Sequence, residues 1–134
     1  MSDLLPLSEA MGRHIPFSDL LDIRLVDKGD GRSRVSLEVK PELMNSFHVA
    51  HGGAIMTLMD VAMMVAARTR DAEAIGAVTV ELKTSFINPG NGTLVADGVC
   101  LHVGKSIAFC EARVHGSDGK LAATATGTFM LRHK

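Results

Sequence analysis

Apolar and polar positions alternate with a period of two over much of this chain. Between residues 32 and 40, Val35, Leu37 and Val39 fall on one face and Ser36, Glu38 and Lys40 on the other. That is the pattern of a half-buried strand, and Pro41 ends it. Residues 22–29 form its partner across the turn Asp27-Lys28-Gly29-Asp30-Gly31. From 75 to 87 the alternation returns, with Val78, Val80, Leu82, Thr84 and Phe86 opposed to Thr79, Glu81, Lys83, Ser85 and Ile87. Asn88-Pro89-Gly90-Asn91-Gly92 is a strong turn signal. Residues 93–103, 106–116 and 120–131 read as three more strands, joined as hairpins at Gly104-Lys105 and Ser117-Asp118-Gly119-Lys120. Residues 2–13 read as a short amphipathic helix or a loose arm, bounded by Gly12 and Pro16.

One segment breaks the two-residue rhythm. From Gly53 to about Arg70 the chain has helix length and good helix formers. It is apolar almost all round, which predicts a helix buried on most sides. Arg68 and Arg70 suit its negative C-terminal end. The order is then two strands, one buried helix and four strands in a meander. Short turns make the last four antiparallel, and a single helix requires the sheet to curl around it. The expectation is one α+β domain over residues 1–134: a curled antiparallel sheet of five to six strands around one long central helix, with residues 1–16 as an N-terminal arm or short helix. Val99, Leu101, Val103, Ala122 and Met130 leave the outer face of the sheet partly apolar, which predicts a homo-oligomer.

Composition narrows the function classes. Hydrophobic residues are 46%, charged residues 22%, and the net charge is −1, a balance that favours neither nucleic acid nor an anionic membrane surface. The longest apolar stretch, Gly52–Ala67, is interrupted by Thr57 and Asp60 and is shorter than the ~20 residues of a membrane span. The start of the chain has no basic-then-apolar leader pattern, so a cytoplasmic location is expected. Cys100 and Cys110 make no metal or redox spacing and read as packing residues. His48 and His51 lack a third ligand at a recognisable spacing, so no metal is expected. Met56, Met59, Met63 and Met64 read as core filler or as a pliable wall beside a ligand.

Asp60 is the anomaly. Its neighbours are Leu58, Met59, Val61 and Ala62, with Met56, Met63 and Met64 one turn away. A carboxylate among apolar side chains is costly unless paired, and its pKa rises. Either it faces solvent or pairs with an arginine such as Arg113, or it serves as a nucleophile or general base. At the start of the same helix, His51-Gly52-Gly53 leaves backbone N–H groups with no side chain to block approach. Such a helix start can polarise a carbonyl or hold an oxyanion. Gly52 and Asp60 are eight residues apart, so they stand ~12 Å apart along the axis. One carbonyl cannot meet both in one chain. Two such helices, antiparallel across a two-fold axis, would build two composite sites per dimer.

The run Asn45-Ser46-Phe47-His48-Val49-Ala50-His51-Gly52-Gly53, with Asp60 following in the helix, resembles the hotdog-fold acyl-CoA thioesterases of the phenylacetate-degradation (PaaI) type. The strand order matches too, and the stretches Val103–Ser106 and Asp118–Phe129 resemble the family's last hairpin. The resemblance implies that Asp60 is nucleophile or general base and that the Gly52 N–H polarises the thioester carbonyl. It implies that Asn45 orients the water or the carboxylate, that His51 holds the loop and thioester, and that Thr79 helps position the water. Gly53, Lys105 and Ser106 would lie against the substrate, the last two near coenzyme A. No cofactor is implied. The implied assembly is a homodimer that pairs into a dimer of dimers. Two other functions remain open: a non-catalytic acyl-CoA binding module and a hotdog dehydratase.

Overall fold

The computed structural model describes residues 4–134, so residues 1–3 of the expected arm lie outside it. In chain order the elements are β1 (Leu5–Pro6), α1 (Leu7–Met11), α2 (Pro16–Leu21), β2 (Arg24–Gly29), β3 (Arg32–Glu38), α3 (Gly52–Arg68), β4 (Gly76–Phe86), β5 (Thr93–Val103), β6 (Ile107–His115) and β7 (Leu121–Arg132). All strands join one antiparallel sheet of order β1-β2-β3-β5-β6-β7-β4. The sheet curls around α3, as the hotdog arrangement requires. Six strands are long, and β1 adds a seventh of two residues.

The expected arm is more ordered than its sequence suggests. Gly12 ends α1 in the left-handed conformation (φ 64°), and Pro16 occupies the first turn of α2, where its missing N–H costs nothing. Leu7, Leu21 and Ile23 are buried and fix this segment to the core.

The meander holds for β5, β6 and β7 only. β4 pairs with β7 at the far edge and not with β5. The reason lies in residues 87–92. Ile87 N–H and Asn88 N–H donate to the Ala122 carbonyl, Ala50 N–H donates to the Gly90 carbonyl, and Val39 N–H donates to the Gly92 carbonyl. The Asn-Pro-Gly-Asn-Gly segment thus spans from the start of β7 to the end of β3, across the mouth of the curled sheet. It sits close against the core: a Cβ on Gly90 would lie 3.1 Å from the Leu94 side chain.

The alternation in β4 is also corrected. Its register against β7 slips between Thr79 and Glu81, so Val80 is an extra residue. Thr79 lies opposite buried Phe129, and Leu82 lies opposite Gly127. The bulge therefore brings Thr79 to the helix side with Leu82, and leaves Val78 and Val80 exposed on the sheet's edge strand.

Helix α3 carries the core on one side: Ile55, Leu58, Met59, Ala62, Met63, Val65 and Ala66 are buried. Its seat on β5 and β3 is tight. Ser33 Oγ donates to the Ala62 carbonyl at 2.5 Å, and Gly98 lies directly beneath the same peptide. The helix is not buried all round in the single chain. Gly53, Thr57, Asp60, Met64 and Arg68, at spacings of three and four, form a stripe that the sheet does not cover.

The outer face of the sheet exposes Leu101, Phe109 and Met130, but Ala122 faces the core instead. Cys100 and Cys110 are free, buried and directly opposed on β5 and β6. Burial and the adjacent Cys100 sulfur push the Cys110 thiol up.

Candidate active site

Asp60 sits in the middle of the open stripe, half-buried. Thr79 Oγ1 donates a hydrogen bond to its Oδ1 at 2.6 Å. This pair exists because the β4 bulge turns Thr79 toward α3. No cation pairs with Asp60 among the described residues, and Arg113 instead lies on β6 opposite Asp97. Burial pushes the Asp60 carboxyl above the usual carboxylate range, and the hydrogen bond from Thr79 draws it part of the way back. The result is a carboxylate that is partly desolvated, fixed by one donor and left with its second oxygen uncommitted among the described residues. A base or nucleophile needs those properties.

The second feature is built at the N-terminus of α3. His51 is the helix cap: its Nδ1 accepts from Gly53 N–H at 2.8 Å, while its own N–H donates to the Leu43 carbonyl. In the neutral ring the proton is then on Nε2. Gly53 N–H is thereby used up, but Gly52 N–H has no acceptor among the described residues. A Cβ on Gly52 would come within 3.2 Å of the Phe86 ring. Glycine here lets the strand-end aromatic close over the helix start.

Asn45 frames the same place. Its Oδ1 accepts from Phe47 N–H at 2.9 Å and from Val49 N–H at 3.4 Å, an Asx turn that shapes the loop. His48 takes the left-handed conformation needed to complete it (φ 61°). Asn45, Gly52, Ile55, Phe86, Asn88 and Gly90 line a cleft of about 380 Å³. Sequence reasoning did not find Phe86, Asn88 or Gly90, because their role depends on the crossing of residues 87–92.

The expected residues thus gather in two places. Asn45, His51 and Gly52 meet at one end of α3, and Asp60 and Thr79 meet two turns along it, ~12 Å further by the helix rise. Lys105 and Ser106 lie on the β5–β6 turn. Leu131 N–H donates to the Ser106 carbonyl, and Leu131 pairs with Ala77. That turn is therefore at the end of the sheet where α3 finishes, away from the Asn45–Gly52 cleft. The described residues contain no cluster of three or more ligands able to hold a metal, and no helix is long and apolar enough to cross a membrane.

Comparison with known proteins places the fold in a family. The family model for the thioesterase superfamily matches residues 47–123. A Saccharolobus solfataricus protein named provisionally as an esterase is 34% identical over 116 residues, 85% of this chain and 82% of its own length. The medium/long-chain acyl-CoA thioesterase YigI of Salmonella typhimurium is 24% identical over 134 residues, 88% of this chain and 86% of its own. Among solved structures, the conserved protein PA5202 from Pseudomonas aeruginosa superposes with a TM-score of 0.84 at 34% identity, covering 94% of this chain and 99% of that one. The smu.793 protein of Streptococcus mutans, bound to acetyl CoA, gives 0.74 at 28% identity, covering 82% and 88%. A mutant of the phenylacetic acid degradation protein PaaI from Thermus thermophilus gives 0.77 at 27% identity, covering 88% and 99%. With a family match over more than half its length and a PaaI-like hotdog fold, this chain belongs to the thioesterase superfamily.

Proposed function

We propose that the protein hydrolyses acyl-CoA thioesters in sites shared between two subunits. The observation that carries this reading is Asp60: a half-buried carboxylate without a cation among the described residues, oriented by Thr79, on the open stripe of α3. As general base, Asp60 takes a proton from water while the water oxygen attacks the thioester carbon. The carbonyl oxygen gains charge, which the free Gly52 N–H stabilises. The C–S bond then breaks, and the CoA thiolate leaves and is protonated. As nucleophile, Asp60 attacks the same carbon, the C–S bond breaks to release the CoA thiolate, and water hydrolyses the resulting mixed anhydride to free acid and Asp60. Asn45 and His51 hold the loop that presents Gly52.

The ~12 Å between Asp60 and Gly52 supports a homodimer in which α3 lies antiparallel to its copy. So does β4, an eleven-residue edge strand bearing exposed Val78, Val80 and Phe86, which invites pairing with a second chain. Leu101, Phe109 and Met130 on the outer face suit the pairing of dimers. Likeness to a structure bound to acetyl CoA and to a named acyl-CoA thioesterase supports the substrate class.

The test is thiol release from a panel of acyl-CoAs, with subunit mixing. Asp60→Asn and Gly52→Val are each expected to be inactive. Each mixed dimer regains one site with both residues intact, so random mixing restores about a quarter of wild-type activity under two-fold symmetry. No recovery on mixing refutes the shared site. Binding of CoA esters by the wild type without any turnover refutes hydrolysis in favour of a binding module.

A further inference from the structure

Past Asp60 the open stripe of α3 continues through Met64 to Arg68. On the facing strand, Ala77 lies two residues before Thr79 on the same helix-facing side. One helical turn beyond Asp60 on α3, and two residues before Thr79 on β4, lies a second cleft of about 400 Å³ with Ile15, Met64 and Ala77 on its walls. Three arginines ring it: Arg13, Arg68 and Arg132. Arg13 is held in place by donating to the Ile75 carbonyl. Arg68 Nη2 donates to the Ala74 carbonyl at 3.4 Å, but its Nε is buried with no acceptor. None of the three pairs with a carboxylate among the described residues. Burial and the neighbouring Arg13 charge pull Arg68 below the ordinary guanidinium value. A helix C-terminus accounts for one cation, Arg68. It does not account for three arginines converging on one apolar cleft without a carboxylate partner among the described residues.

We infer that this cleft receives the far end of the acyl group, and that Arg68, with Arg13 and Arg132, binds a carboxylate there. The inference rests on the reading that the thioester sits at Asp60. It makes thioesters of dicarboxylic acids the preferred substrate class. Apolar walls between the reacting carboxylate and the arginines suit a stretch of methylene or ring carbon, and guanidinium forks grip a carboxylate bidentately. Nucleotide phosphates are strongly hydrated and suit an exposed rim rather than a part-buried apolar pocket.

The experiment compares two CoA esters of equal acyl length, one ending in methyl and one in carboxylate. Its readout is the ratio of their kcat/KM values. The wild type is expected to favour the carboxyl-ended ester roughly tenfold or more, the worth of a charge-assisted contact. In Arg68→Met, and independently in the exposed Arg132→Gln, the ratio falls toward one. A wild-type ratio near one, or a ratio unchanged in both variants, overturns the inference. Pantetheine thioesters of the same two acids lack the nucleotide phosphates, and the ratio persists with them if the carboxylate is the occupant. If instead both variants slow the two CoA esters alike and leave the pantetheine esters unaffected, phosphates fill the cleft and the inference falls. Should the wild type cleave none of these esters, the hydrolase reading itself fails. Calorimetry with an α,ω-dicarboxylate and a monocarboxylate of the same length then decides the cleft. Tighter dicarboxylate binding that Arg68→Met abolishes supports it, and equal binding overturns it.

Discussion

Gly98→Ala tests the seat of α3 most directly. Gly98 has an ordinary φ, so alanine meets no backbone strain there; the obstacle is space. A Cβ at this position would lie 2.4 Å from the Ala62 carbonyl oxygen, 2.6 Å from its carbon and 2.8 Å from Ser33 Oγ. The nearest atoms are backbone, so no side chain can swing aside and the helix itself must move. Overpacking of this kind costs about 1–3 kcal/mol, and loss of the buried Ser33–Ala62 bond adds about 1 kcal/mol. The sum, about 2–4 kcal/mol, lowers Tm by roughly 6–20 °C at about 3–5 °C per kcal/mol for a domain of this size. Activity falls as well. Ala62 is two residues from Asp60, and a shifted helix opens the 2.6 Å bond from Thr79. A displacement near 1 Å can cost on the order of a hundredfold in rate. Gly104→Ala is the control: its Cβ would meet nothing closer than the Ile107 carbonyl oxygen at 3.7 Å, so its melting stays within about 2 °C of wild type. Calorimetric melting and thiol release read both effects. If Gly98→Ala melts with the wild type and keeps full activity, α3 is not positioned by this contact.

Three further predictions concern the site. Asp60→Asn abolishes thiol release but does not destabilise the fold at neutral pH. Folding raises the Asp60 pKa, so its favourable contribution is complete below the ordinary carboxylate range and is lost as pH rises through the folded value. Above that window the ionised Asp60 is a burden that asparagine lacks. The variant therefore melts at or above wild type at pH 7, and the gap closes in acid; a lower melting point at pH 7 refutes the desolvation argument. Thr79→Val removes the hydrogen bond that lowers the Asp60 pKa, so the acid limb of the kcat/KM profile moves to higher pH, and an unmoved or lowered limb contradicts the pairing. Val80→Lys places a charge on the bulged edge strand, so light scattering shows weaker association and thiol release falls in step; a fully active monomer eliminates the shared site.

Much of the fold was legible because it depends on local periodicity. Val35, Leu37 and Val39 alternate within one strand, and the α3 segment declares itself by length and composition. The failures share one cause, dependence on distant partners. Asn88-Pro89-Gly90-Asn91-Gly92 announces a reversal, but whether it closes a hairpin or crosses the sheet is decided by Ala50, Val39 and Ala122, residues far away in sequence. The bulge at Val80 is silent for the same reason. Valine suits a regular strand, and only the pairing of Thr79 with Phe129 and of Glu81 with Thr128 exposes the extra residue. Ala122 reads as an outer-face residue because its small side chain carries little periodic signal, and its burial follows from the register slip of β7 against β6 beside it.

The bulge also explains why the site was half legible. Asp60 stood out because a charge in an apolar helix violates a local rule, and such violations mark functional positions. Thr79 violates nothing. A threonine in a strand is ordinary, and without the bulge its hydroxyl would point to the opposite face from Leu82 and away from α3. The extra residue in β4 lets Thr79 share the helix-facing side with Leu82, three positions on, and puts Val80 outward on the edge where a second chain can dock. Thr79 there supplies the donor that keeps Asp60 oriented and tempers its raised pKa. Deleting Val80 separates the two effects, because Thr79 stays opposite Phe129 and Glu81 opposite Thr128 in a ladder that is now regular. The Thr79–Asp60 bond and the acid limb of activity are then kept, while the edge loses one outward valine and association weakens. Loss of the Thr79–Asp60 bond in a structure of the deletion variant would show that the register against β7 is not what aims this hydroxyl.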